Sequence, residues 1–134
     1  MGNEGNMAFN QNIAQEYNRN KILTASPAEL TLMLYDAAVR FCDTAIETME
    51  NDKKNIQKIN DYMKKAEDAI IELRMGLDMN VPVAKEFDTV YDYIYRRLVE
   101  GNMQKDPEIV KEALKHIKKM RDTWKEVMRL NNAN

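Results

Sequence analysis

The sequence predicts an all-α fold: an antiparallel up-down four-helix bundle, with a short N-terminal arm or helix packed on it. Three observations carry this. Four long stretches repeat apolar residues at steps of three and four, the spacing that gathers them on one helix face. Short polar turns separate the stretches, so consecutive helices must reverse direction. The composition is 44% apolar and 31% charged with four Gly and three Pro, which suits a helical chain able to bury a core, and nothing in it suggests strands.

The stretch that organises the chain is KILTASPAELTLMLYDAAVRFCDTAIETM, Lys21 to Met49. Ser26 is placed to cap a helix, Pro27 suits the first helical position, and Glu29 sits three residues after the cap. The helix, expected over Pro27–Glu50, carries two apolar stripes. One is Leu30, Leu34, Ala37, Phe41 and Ala45; the other is Leu32, Tyr35, Val39, Cys42, Ile46 and Met49. An ordinary surface helix needs one stripe, so two mean cover on most of the circumference. Neighbouring helices on both sides would supply that cover. So would a groove along part of the second stripe that takes a partner helix.

The rest follows in order. Residues Met1 to about Gln11 are rich in Asn and Gly and are expected to be disordered. Ile13 and Tyr17 then fall one helical turn apart, in a segment too short to fold alone. It orders only by laying Ile13, Tyr17, Ile22 and Leu23 on the rest of the protein. This gives an arm over residues 1–20 and a bundle over 21–130. The second helix is expected from near Asn55 to about Met79, with the seam Ile56, Ile59, Met63, Ala66, Ile70, Leu73, Leu77 and with Ile71 and Met75 off it. The third is expected over Val83–Glu100, with the stripe Val83, Phe87, Val90, Ile94, Leu98, a ridge of Tyr91 and Tyr95 beside it, and Gly101 to end it. Asp106-Pro107-Glu108 repeats the cap-proline-acid start, and the fourth helix runs to about Leu130 with Val110, Ala113, Ile117, Met120, Trp124 and Val127 inward.

The same residues exclude much. Net charge is −2, so no global basic field favours nucleic acid, and the lysine clusters read as solvated helix faces. No apolar run approaches a membrane span, and the polar N-terminus lacks the order of a signal peptide. Cys42 is the sole cysteine and reads as a small core residue, consistent with a cytosolic home. His116 is the sole histidine, with Glu112 one turn before it; a di-iron bundle or a zinc site needs more ligands than that. There is no glycine-rich phosphate loop. A histidine phosphotransfer bundle is the enzyme-like rival, since Lys118 and Lys119 follow His116, but the glycine expected there is missing. No cofactor and no catalytic constellation are expected. The ten methionines suit either an adaptable core or an adaptable binding surface.

The block Thr24 to Asp36, TASPAELTLMLYD, the block Tyr91 to Leu98, YDYIYRRL, with Asn102 after it, and Arg121 to Glu126, RDTWKE, resemble the flagellar secretion chaperone family known as FliS. Tyr17 stands ten residues before Pro27, as the family's N-terminal tyrosine does. The turn Met79 to Ala84 departs from the glycine-containing acidic turn common in the family. The resemblance implies a cytoplasmic chaperone that binds the disordered C-terminal segment of flagellin and yields it to the flagellar export gate, without enzymatic activity. Other flagellar regulators, a co-chaperone or a second copy in a homodimer are further partners it suggests; a generic helical interaction module is the alternative. On this reading the cargo grooves are lined by Leu34, Tyr35, Ile71, Met75, Tyr91, Tyr95 and Leu98, with Tyr91 and Tyr95 at a half-wet rim. Tyr17 and Ile22 of the arm cover the empty groove until cargo displaces them. Arg96 and Arg97 are expected to meet acids of the cargo or surface carboxylates such as Asp92 or Glu100.

Overall fold

The computed structural model of the chain describes residues 26–133. The expected arm, with Tyr17 and Ile22, and the boundary at residues 20–21 lie outside them. Four helices follow one another: α1 Pro27–Asn51, α2 Ile56–Met75, α3 Pro82–Gln104 and α4 Pro107–Ala133, and no strand occurs among the described residues.

The chain divides into two compact units after Leu30. In the first, the described residues are the start of α1, formed as the capping box requires. The Ser26 hydroxyl accepts the Glu29 N–H at 3.2 Å, and the Ser26 carbonyl accepts the Leu30 N–H at 2.9 Å.

The second unit, from Thr31 onward, holds the core. Its connections are short, so the helices alternate in direction. Asn55 caps α2 by accepting the Lys58 N–H at 3.3 Å. Helix α2 stops at Met75, four residues before the expected end. Gly76 is a poor helix former, and the Asp78 side chain takes the Asn80 N–H at 3.0 Å while its carbonyl takes that of Val81. These bonds favour a turn. At the other junction the helix is longer than expected: α3 runs through Gly101 to Gln104. Glycine is there for closeness. A Cβ on Gly101 would lie 2.7 Å from Val110 Cγ2 and 3.3 Å from Ile109 Cγ2, so α3 and α4 approach where any added side chain would force Val110 to move.

Lys105 ends α3 instead, in the left-handed region at φ 51°. That conformation disfavours a lysine, and its ammonium group offsets the cost. It donates to Asn60 Oδ1 at 2.7 Å on α2, and to the Asn102 carbonyl and Oδ1 at 2.6 and 2.7 Å. Asp106 then caps α4 by accepting the Glu108 N–H at 2.9 Å.

Four helices contribute to one core. On α1 the second stripe, Tyr35 to Met49, faces inward, with Ala38 and Ala45 beside it. Leu34, Ala37 and Phe41 of the first stripe are half-buried. From Tyr35 to Met49 the second stripe packs on the chain's own helices, and Leu32 at its start is half-buried. Phe41 meets Tyr62 of α2 with centroids 6.2 Å apart, and the Lys65 ammonium lies 4.9 Å from the Tyr62 ring. Lys111 of α4 reaches Glu50 of α1 at 3.0 Å. Cys42 is buried, and burial pushes its thiol up to about 12, which keeps it inert.

On α3 the buried seam is Ala84, Tyr91, Ile94, Leu98 and Gly101, with Phe87 and Val90 half-buried against the core as expected, so the expected stripe is displaced only at its start, where Ala84 takes the inward place of the exposed Val83. Two small residues extend the Tyr91 ladder, which a reading weighted to large side chains overlooks. Ile56, Val83 and Val127, expected inward, are exposed because they stand in or near terminal turns, beyond the packed stretch of their helices.

Glu67 of α2 is 4% exposed, and its Oε2 has no hydrogen-bond partner. Lys64 stands 4.0 Å from Oε1. Burial pushes the carboxyl above its ordinary value, with Lys64 and Lys105 pulling the other way and Asp68 adding to the rise.

Two outcomes follow from these contacts. Gly101→Ala should lower stability by about 1–2 kcal/mol in denaturant titration, because overpacking at the α3–α4 contact outweighs the roughly 1 kcal/mol gain in helix propensity. Val110→Ala in the same chain should recover part of the clash; an unchanged or higher midpoint for Gly101→Ala alone would mean the helices separate freely. Glu67→Gln should stabilise the protein at neutral pH. A raised carboxyl favours the protonated fold, so the Glu67 contribution is fully present below the ordinary carboxylate range and is lost as pH rises through the raised value. The variant's advantage should therefore shrink on acidification; a variant less stable at pH 7 would mean the lysines' attraction exceeds the burial cost.

Candidate partner-binding site

The residues expected to line a groove separate into two sets. Tyr35 and Tyr91 are each 1% exposed, and Leu98 is fully buried. They are core. Leu34 and Tyr95 are half-buried against that core, whereas Ile71 and Met75 stand at 36% and 73% exposure.

The tyrosines are buried because each supplies what the other needs. Tyr35 of α1 and Tyr91 of α3 share a hydroxyl–hydroxyl hydrogen bond in the interior, with ring centroids 6.3 Å apart. Phe87 sits edge-on to Tyr91 at 6.3 Å. A buried phenol without a partner is costly, and two that pair are not. Burial pushes both hydroxyls above the ordinary phenol value. Tyr91 therefore sits in the interior rather than at the half-wet rim expected of it.

Ile71 and Met75 lie one turn apart on α2, away from its seam of Ile59, Met63, Ala66, Ile70 and Leu73. The end of α2 that carries them is fixed to α3 by a guanidinium fork. Arg74 gives Nε to Asp88 Oδ1 at 2.9 Å, Nη2 to Asp88 Oδ2 at 3.3 Å, and Nη1 to Asp92 Oδ1 at 3.3 Å. The Arg74 guanidinium holds the Asp88 carboxyl below its usual range. Asp92 also receives Arg96 at 3.0 Å, one of the surface pairings expected.

Beyond this fork the chain exposes Met79, Val81 and Val83, which sequence reasoning missed as surface residues. Their signal was the turn itself: apolar residues in a turn have no helix face to hide on. Met75, Met79, Val81 and Val83 fall within nine residues of sequence around one turn between packed helices.

The sole histidine is not placed for chemistry with a metal. His116 packs edge-on against Tyr93 with centroids 5.4 Å apart, and its Nε2 is 3.9 Å from Glu112. Glu112 also accepts the Tyr93 hydroxyl and faces Arg97 at 3.6 Å, so Arg97 meets Glu112 of α4 rather than Glu100. Among the described residues no group of three His, Cys, Asp or Glu side chains is gathered to hold a metal ion. None of their helices is long and apolar enough to cross a membrane.

The family model described as flagellar protein FliS matches residues 9–131. The flagellar secretion chaperone FliS of Bacillus subtilis (strain 168) is 36% identical over 118 residues, covering 88% of this chain and 87% of that protein. The flagellar secretion chaperone FliS of Salmonella typhimurium (strain LT2) is 27% identical over 109 residues, covering 79% of each.

The tyrosine pair is open to a double-mutant cycle. Tyr35→Phe or Tyr91→Phe alone should each cost about 1–3 kcal/mol by leaving one phenol unpaired, while the double variant should return close to wild type. Additive losses in urea titrations would mean that the hydroxyls are not coupled.

Proposed function

This chain belongs to the FliS family of flagellar proteins, and we propose that it is an export chaperone for the C-terminal segment of flagellin. On this reading it works in the bacterial cytoplasm, keeps that segment from polymerising early, and yields it to the flagellar export gate. The supporting observation is the pair Ile71 and Met75, apolar and exposed on α2 beside a core that buries the other long apolar residues of the helix after its first turn.

The physics suits a holding role. A segment that forms helices in the filament carries apolar faces with nothing to cover them before assembly. Exposed Ile71 and Met75 offer such a face an apolar seat, and the thioether of Met75 adapts to an irregular partner. Ordering the segment on binding offsets about 2–5 kcal/mol of contact energy or more, which keeps the net affinity releasable. Equilibrium binding of this kind requires no nucleotide and no catalytic group.

Titrating the protein calorimetrically with the flagellin C-terminal segment of the same organism tests this directly, with circular dichroism on the mixture. One-to-one binding, a negative heat-capacity change and added helix are expected. Ile71→Asp with Met75→Asp should weaken binding about tenfold or more, since each buried apolar side chain contributes roughly 1.5–3 kcal/mol, and should leave Tm nearly unchanged. Unaltered affinity would remove α2 from the site; no binding by the wild type would sink the flagellin reading.

A further inference from the structure

We propose that the outward face of α4 is a second docking surface, for an acidic amphipathic helix, separate from the residues assigned to cargo. The core seam of α4 is Val110, Ala113, Ile117, Met120 and Trp124. Lys115, Lys118, Lys119, Glu126 and Leu130 lie across the helix from it, within an arc of about 120° at 100° per residue. With Asp122, Thr123 and Val127 beside them, these residues border one open stretch of surface. The face is basic toward its start and apolar toward its end, where Val127 and Leu130 are exposed.

Its charge is uncompensated. The two acids bordering this face are already engaged: Asp122 with Arg121 at 3.3 Å, and Glu126 with Arg129 through two bonds of 2.5 and 3.1 Å. Lys115, Lys118 and Lys119 pair with no acid among the described residues. In a chain of net charge −2, three unpaired lysines on one face make a local positive field against the overall sign. A partner that matches must bring carboxylates to the lysines and apolar side chains to Val127 and Leu130. From Lys115 to Leu130 the face is roughly 22 Å long, the length of a helix of about 15 residues. Nucleic acid would satisfy the lysines and leave the apolar half uncovered, so an acidic amphipathic helix is the better match.

The test is fluorescence anisotropy of the full chain with a labelled synthetic helix of about 15 residues, glutamate-rich in one half and leucine-faced in the other. A scrambled peptide of the same composition, single-stranded DNA and anionic phosphatidylserine vesicles serve as comparisons. The patterned peptide should bind, and affinity should fall with added salt. The scrambled peptide, DNA and vesicles should bind about tenfold more weakly or not at all. Lys115→Glu with Lys118→Glu and Lys119→Glu, and separately Leu130→Asp, should each cost about tenfold, with the helical spectrum kept and the flagellin-segment titration unchanged. Equal binding of the scrambled peptide, DNA or vesicles would reduce the face to a polyanion patch and overturn the proposal. So would no binding of the patterned peptide, or variants that leave its affinity intact.

Discussion

Two phenols buried against each other decide which apolar surface this protein keeps. A tyrosine hydroxyl can enter a core only with a partner, and Tyr35 and Tyr91 provide one another with it across α1 and α3. The pair sets α1 and α3 in a defined relation, because sliding either helix by a turn would strand a hydroxyl. It also withdraws two large aromatic rings from the surface. Long apolar side chains that stay exposed lie elsewhere, among them those on the α2 flank and the turn that follows it.

The ends of the helices are held by polar contacts of a different kind. The Arg74 fork joins the last turn of α2 to α3, and Lys105 joins the end of α3 to Asn60 of α2. Between α3 and α4, closeness is set by the missing side chain of Gly101. Each device acts at a junction, where the backbone groups of a helix end need partners and where a short loop leaves little freedom. The exposed apolar residues around the α2–α3 turn thus ride on a fixed base. For the binding role proposed for the α2 flank, a base already ordered adds less entropic cost when a partner arrives.

The family membership and this division of surface are mutually consistent. Holding a segment and later giving it up, the role proposed above, is better served by moderate apolar area than by a deep pocket. The charged face of α4 lies on the opposite side of its helix from the core seam. Its unpaired lysines add a polarity that the α2 flank does not have.

Much of the fold was written in the sequence. The Ser26 and Asp106 starts, the inward seams of α2 and α4, and the bundle itself follow from cap chemistry and from three-four spacing, which are local properties. The apolar flank of Ile71 and Met75 was legible for the same reason, as residues off a seam. Other features depended on what stood across the interior. Tyr91 reads as amphipathic rim material until Tyr35 arrives to bond its hydroxyl. Gly101 reads as a helix end until Val110 shows what an added side chain there would force to move. Lys105 gives no sign of a left-handed cap until Asn60 and Asn102 surround its ammonium. Local spacing determines which residues share a face; only the tertiary structure decides what that face meets, because burial and hydrogen-bond satisfaction are properties of pairs that the chain brings together from far apart.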